Sequence, residues 1–114
     1  MTQKRALGNE ILHEIIRRIV EVAQPEKIIL FGSAARGEMG PNSDVDLLVI
    51  KSGEFDRSQL VGDIYMHLFG VGQAVDVILA TPEQVERYHN THCLIIAPAL
   101  REGREVYHAS ALPA

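Results

Sequence analysis

Lys27-Ile28-Ile29-Leu30-Phe31-Gly32-Ser33, followed ten residues later by Asp44-Val45-Asp46-Leu47-Leu48-Val49-Ile50, decides how this chain folds. The first run is apolar, rich in β-branched residues and stops at Gly32, so it reads as a buried strand entering a turn. In the second run Val45, Leu47 and Val49 fall on one side of an extended chain, and Asp44, Asp46, Leu48 and Ile50 on the other. That second side changes from acidic to apolar along its length, as expected of a strand that begins at a polar site and runs into the core. Residues 37–43 between them hold two glycines and Pro41 and read as a loop.

Upstream, Ile11, Ile15, Ile16, Ile19, Val20 and Ala23 recur at helical spacing with Glu14, Arg17, Arg18 and Glu21 between them. Leu7 to Ala23 is therefore an expected amphipathic helix, stopped by Pro25, with its Ile stripe covering the sheet. Downstream, Ser58 to Phe69 has helical periodicity and ends near Gly70 and Gly72. Ala74 to Ala80 is β-branched and alternating enough for a third strand, with Asp76 near its start. Thr81, Pro82 and Gln84 then supply a cap, a proline at the first helical position and a capping-box partner. Thr91 to Leu100 is an expected short helix despite Pro98, and Arg104 to His108 an expected edge strand. The fold class is α/β (α+β), a small mixed sheet flanked by helices.

Composition bounds the rest. A chain of 114 residues, 46% apolar and 23% charged, suits one globular domain spanning residues 1–114 with no second lobe. Its formal net charge of −4 argues against stable binding to a nucleic-acid backbone, which draws affinity from Lys and Arg. Cys93 is the only cysteine, so no intrachain disulfide forms. With neither a signal peptide nor an apolar run long enough to span a bilayer, the expected location is the cytoplasm.

Two carboxylates at i and i+2 on a strand project to the same face, where both can bind the same hard cations. Asp44 and Asp46 meet that condition, and Asp76 joins them if the two strands pair with their starts level. Three converging carboxylates repel unless cations sit among them, and Mg²⁺ favours such oxygens together with substrate phosphates. At Gly32 the absent side chain lets backbone amides approach an anion, and the Ser33 hydroxyl adds a donor. A phosphate cradle beside a carboxylate cluster is what nucleotidyl transfer requires, one metal activating the attacking hydroxyl and the other stabilising the leaving pyrophosphate.

Gly32-Ser33-Ala34-Ala35-Arg36-Gly37, then Ser43-Asp44-Val45-Asp46-Leu47, resembles the signature of the polymerase-beta-like nucleotidyltransferase superfamily, and Asp76 in Val75-Asp76-Val77 matches its third acidic residue. The likeness covers about 50 of the 114 residues and links three pieces at the right spacing. It implies that Asp44 and Asp46 bind both of two Mg²⁺ ions, and that Asp76 completes the site and helps deprotonate the acceptor. It also implies that Gly32 and Ser33 hold the β and γ phosphates of ATP. Arg36 has two uses open to it, a phosphate or an acidic neighbour such as Glu38. The short length and the Gly-Ser-Ala-Ala-Arg-Gly form are similar to the minimal nucleotidyltransferases paired with helical HEPN proteins. That resemblance implies a protein adenylyltransferase, an antitoxin transferring AMP to a tyrosine of a HEPN ribonuclease toxin. Without the second domain of larger relatives, the acceptor's pocket comes from another molecule, as a homo- or hetero-oligomer.

Competing readings are a transferase acting on a small molecule such as an aminoglycoside, and a non-catalytic nucleotide-binding or neutralising subunit. His89, His92 and Cys93 share one helical face, yet no fourth zinc ligand is evident and plain packing or exposure is expected. Tyr65, Tyr88 and Tyr107 are too dispersed for a base-stacking platform and are assigned to helix packing. His13, His67 and His108 lack an acidic companion nearby in sequence and are assigned to the surface or the core edge.

Overall fold

Apolar periodicity and two chain breakers shape the first half of the molecule. The computed structural model describes residues 8–38, 44–88 and 96–109. Helix α1 (Asn9–Ala23) buries Leu12, Ile15, Ile16, Ile19 and Ala23, the leucine and isoleucines contributing about 1.5–3 kcal/mol each. Ile11, expected in that stripe, is 39% exposed, and Leu12 takes the inward position. Gln24 ends the helix in the left-handed conformation (φ 48°), its N–H donating to the Val20 carbonyl, and the buried Pro25 follows. On the outer face Arg17 and Arg18 hold the Glu14 carboxyl down to about 2 through charge-assisted hydrogen bonds.

Strand β1 (Lys27–Phe31) lies between β2 (Val45–Ile50) and β4 (Arg104–His108), antiparallel to both, with a bulge opposite β4 between Ile28 and Ile29. β3 (Val75–Ala80) runs parallel to β2, giving a four-stranded mixed sheet in the order β3-β2-β1-β4. Parallel neighbours need a crossover, and α2 (Arg57–Leu68) supplies it. Asp56 starts that helix, its carboxylate accepting from the Gln59 N–H at 3.0 Å, so the helix begins one residue before the expected Ser58.

The alternation of β2 is realised on two separate cores. Val45, Leu47 and Val49 pack with α1 and α2, whereas Leu48 and Ile50 face Ala99 of α4 (Ile96–Glu102) on the other side. Helix α3 (Pro82–Tyr88) opens with the anticipated reciprocal cap: Thr81 Oγ1 accepts from the Gln84 N–H at 3.1 Å, and Gln84 Oε1 accepts from the Thr81 N–H at 2.9 Å. Of the helix expected over Thr91 to Leu100, residues 91–95 fall outside the described residues, and α4 continues to Glu102. Pro98 is tolerated because it sits in the first turn, where an N–H has no intrahelical partner. Gly103 then lets the chain turn against α4, since a Cβ there would strike the Ala99 carbonyl and the Ile29 side chain.

β3 forms one edge of the sheet, and α2 covers the groups it turns outward. The Val77 N–H donates to the Tyr65 hydroxyl at 2.8 Å, and the Leu79 carbonyl accepts from the Arg57 guanidinium, which also binds Gln84 Oε1 at 2.8 Å. Among the described residues no helix is long and apolar enough to cross a membrane. Leu47→Ala, in the first core, is expected to lower unfolding stability by about 2–5 kcal/mol. Met66→Ala, where the side chain is 76% exposed, should change it by less than about 0.5 kcal/mol. Urea denaturation of both variants measures the difference.

Candidate active site

Gly32 begins a single 3-10 turn, Gly32–Ala34, directly after β1. Two features require glycine there. Its φ is +75°, which favours a residue without a side chain, and a Cβ would collide with Asp46 Oδ2. The collision follows from register: Phe31 pairs with Asp46, so the residue after Phe31 closes over the Asp46 carboxylate. Ala34, buried in the larger core, anchors the turn from below. Within the turn the Ala35 N–H donates to Gly32 and the Arg36 N–H to Ser33, while the Glu38 N–H returns to the Ser33 carbonyl at 2.9 Å. The first amides of such a turn have no partner inside it, and they are the ones an anion can address.

Asp46 and Asp76 are direct cross-strand partners in the parallel pair, so their side chains leave the same face of the sheet. The two strands thus start level, as the sequence required for Asp76 to approach. Asp44 immediately precedes β2 and is exposed, as is Asp76; Asp46 is half-buried. The pKa of Asp46 is raised above the ordinary carboxylate value, chiefly by burial and then by the charges of Asp76 and Asp44. The three acids therefore share one electrostatic environment. Among the described residues, however, no three His, Cys, Asp or Glu side chains are gathered tightly enough to enclose a metal ion. The donor set itself fits a hard divalent cation: carboxylate oxygens from adjacent strands, one of them burdened by its neighbours' charge.

Of the two uses open to Arg36, the geometry has the second. Its Nε donates to Glu38 Oε1 at 2.8 Å, and that contact raises the guanidinium pKa. Both side chains are about half exposed, so water competes for the pair and rearrangement toward another anion costs little. His89, His92 and Cys93 lie outside the described residues. His67 is exposed but not without an acidic companion: Glu21 of α1 lies 2.9 Å from its Nε2, 46 residues away in sequence, and lowers its own pKa by that contact.

One residue near the site was not singled out for it by sequence. Tyr65, assigned there to helix packing, brings its hydroxyl within 3.4 Å of Asp76 Oδ1 while accepting from the Val77 N–H. The signal that could have found it is topological: a crossover helix runs antiparallel to the strands it joins, so its last turns lie beside the next strand's first residues.

The mixed sheet thus carries a glycine turn closing on one member of an acidic pair, with a third acid in register beside it. Residues 10–104 match the nucleotidyltransferase domain family, and the chain belongs to it. Two solved structures share the fold. One is a mutant of the toxin–antitoxin MntA–HpeT, with a TM-score of 0.60 at 14% identity over 91% of this chain and 76% of that one. The other is a protein from Sulfolobus solfataricus provisionally described as a nucleotidyltransferase, with a TM-score of 0.52 at 21% identity over 90% of each chain. No curated protein matches the sequence at a significant level.

Two outcomes follow from this geometry. Because the folded-state pKa of Asp46 is raised, the folded chain holds its proton more tightly than the unfolded chain does. Its contribution to stability therefore falls as pH rises from the ordinary carboxylate value through the raised one. In chelator, Asp46→Asn should remove that slope and leave the protein at least as stable at neutral pH, as read by thermal melts across the range. Gly32→Ala should cost about 1–3 kcal/mol from backbone strain alone and displace the Asp46 carboxylate, measurable by denaturation and by the Asp46 side-chain NMR signal.

Proposed function

We propose that this chain is a metal-dependent adenylyltransferase that moves AMP from ATP onto a tyrosine hydroxyl of a partner protein, a HEPN-type toxin, and so acts as its antitoxin. The observation that carries this reading is the closure of the Gly32 turn over Asp46 with Asp76 in register beside it. Triphosphate and divalent cation are then held at adjoining places on one rigid sheet, as in-line displacement at phosphorus demands.

In this reading Asp44 and Asp46 hold two Mg²⁺ ions and Asp76 completes the set. Bound there, the ions would supply charge neutralisation on the phosphates and acidify the attacking hydroxyl. Ser33 and the first amides of the turn orient the β and γ phosphates, with Arg36 available once it leaves Glu38. The acceptor oxygen attacks the α-phosphorus, the bond to the pyrophosphate oxygen breaks, and Asp76 takes the hydroxyl proton.

The fold is shared with the toxin–antitoxin MntA–HpeT, which favours a toxin as the partner. That crystal structure is of a mutant in which two aspartates, two residues apart, are replaced by glutamate, and Asp44 and Asp46 have the same spacing.

Incubation with α-labelled ATP, Mg²⁺ and a lysate of the source cells tests the reading. Mass spectrometry should find one AMP added to a tyrosine of a helical partner; label confined to small molecules would overturn the protein acceptor. Asp44→Asn and Asp46→Asn should each reduce transfer by at least about 100-fold without loss of fold by circular dichroism, and full activity in both would sink the assignment.

A further inference from the structure

We infer that Tyr65 is a positioning residue for Asp76, fixing the direction of its carboxylate at the candidate metal site. The inference rests on the reading of Asp76 as a metal-binding acid and adds a residue that the Gly-Ser and Asp-x-Asp pattern does not contain.

A phenol hydroxyl has one hydrogen to donate and lone pairs to accept with. In Tyr65 the accepting role is taken by the Val77 N–H at 2.8 Å, a backbone group fixed by the pairing of β3 with β2. That bond holds the oxygen in place and leaves its hydrogen for the nearby acceptor, Asp76 Oδ1 at 3.4 Å. The donor thus hangs from the same strand that carries the carboxylate, one residue further on. Asp76 is exposed and sits at the edge of the sheet, where a carboxylate has several rotamers open to it. Beside it, Asp46 stands in register on the adjoining strand. A donor on one oxygen of Asp76 leaves the other oxygen to turn toward Asp46, the arrangement two acids need to share a cation, and such outer contacts orient ligands in metal sites generally.

The bland alternative is that Tyr65 only covers the exposed edge of β3. Arg57 provides the control, because it does the same at the Leu79 carbonyl from the same helix and bonds Gln84 rather than any acid of the site. Removing the Tyr65 hydroxyl and removing Arg57 should both loosen the edge, but only the first should alter the site.

The test is Mn²⁺ binding to the protein without nucleotide, followed by the electron paramagnetic resonance of the free ion. Wild type, Tyr65→Phe and Arg57→Ala are compared, with a thermal melt of each. Tyr65→Phe, which keeps the ring, is expected to weaken Mn²⁺ binding by about 10- to 100-fold. Arg57→Ala should lower Tm and leave Mn²⁺ affinity within about two-fold, the span of ordinary context effects on a distant site. If Tyr65→Phe binds Mn²⁺ as wild type does, or Arg57→Ala weakens binding as much as Tyr65→Phe, the positioning role is overturned and the hydroxyl is an edge cover. Wild-type protein that binds no Mn²⁺ overturns the metal reading of the acids, and the inference with it.

Discussion

Val45 lies beside Val75 and Ile50 beside Ala80 in parallel, and that register leaves the rest of the chain few choices. A parallel pair cannot be joined by a hairpin, so the segment between must cross over, and α2 is the result. The crossover buries Ile64 and Leu68 against one face of the sheet, where α1 joins them, and leaves the other face to Ala99 and its neighbours. The same pairing sets Asp46 next to Asp76 at the starts of their strands. Core and candidate site are thus consequences of one alignment; a slip of a single residue would turn Val45, Leu47 and Val49 away from the larger core and separate the acids.

Antiparallel pairing on the other side of β2 does comparable work for the turn. With Phe31 opposite Asp46, the chain must leave β1 directly above that carboxylate, and only a residue without a Cβ fits. An anion approaching from outside is one reason for a glycine at position 32. Here the tighter constraint comes from inside, from the neighbouring strand.

Much of this was legible in the sequence because the signals are local. Pro25 and Gly32 bracket β1, and both β1 and β4 fall where alternation and flanking residues put them. Asp76 could be joined to Asp44 and Asp46 because each strand begins at its acid. The start of α2 was displaced because Asp56 caps through a side chain that the apolar periodicity does not reveal. Helix α4 runs on to Glu102, and Gly103 follows where a Cβ would strike Ile29 and the Ala99 carbonyl, a fact about close packing that composition does not carry. Glu21 meets His67 and Tyr65 meets Asp76 through tertiary structure alone. Arg36 had two open uses, and only the folded structure distinguishes its contact with Glu38 from a reach toward the turn.

The two side chains that α2 lays along β3 have a bearing on how the molecule assembles. A visiting strand extends a sheet by pairing with the N–H and C=O groups its last strand turns outward. At β3 the Val77 N–H and the Leu79 carbonyl are already engaged by Tyr65 and Arg57. Another chain could continue the sheet there only by displacing both. A contact that leaves both in place is made through side chains and surface shape rather than through the generic chemistry of a peptide backbone.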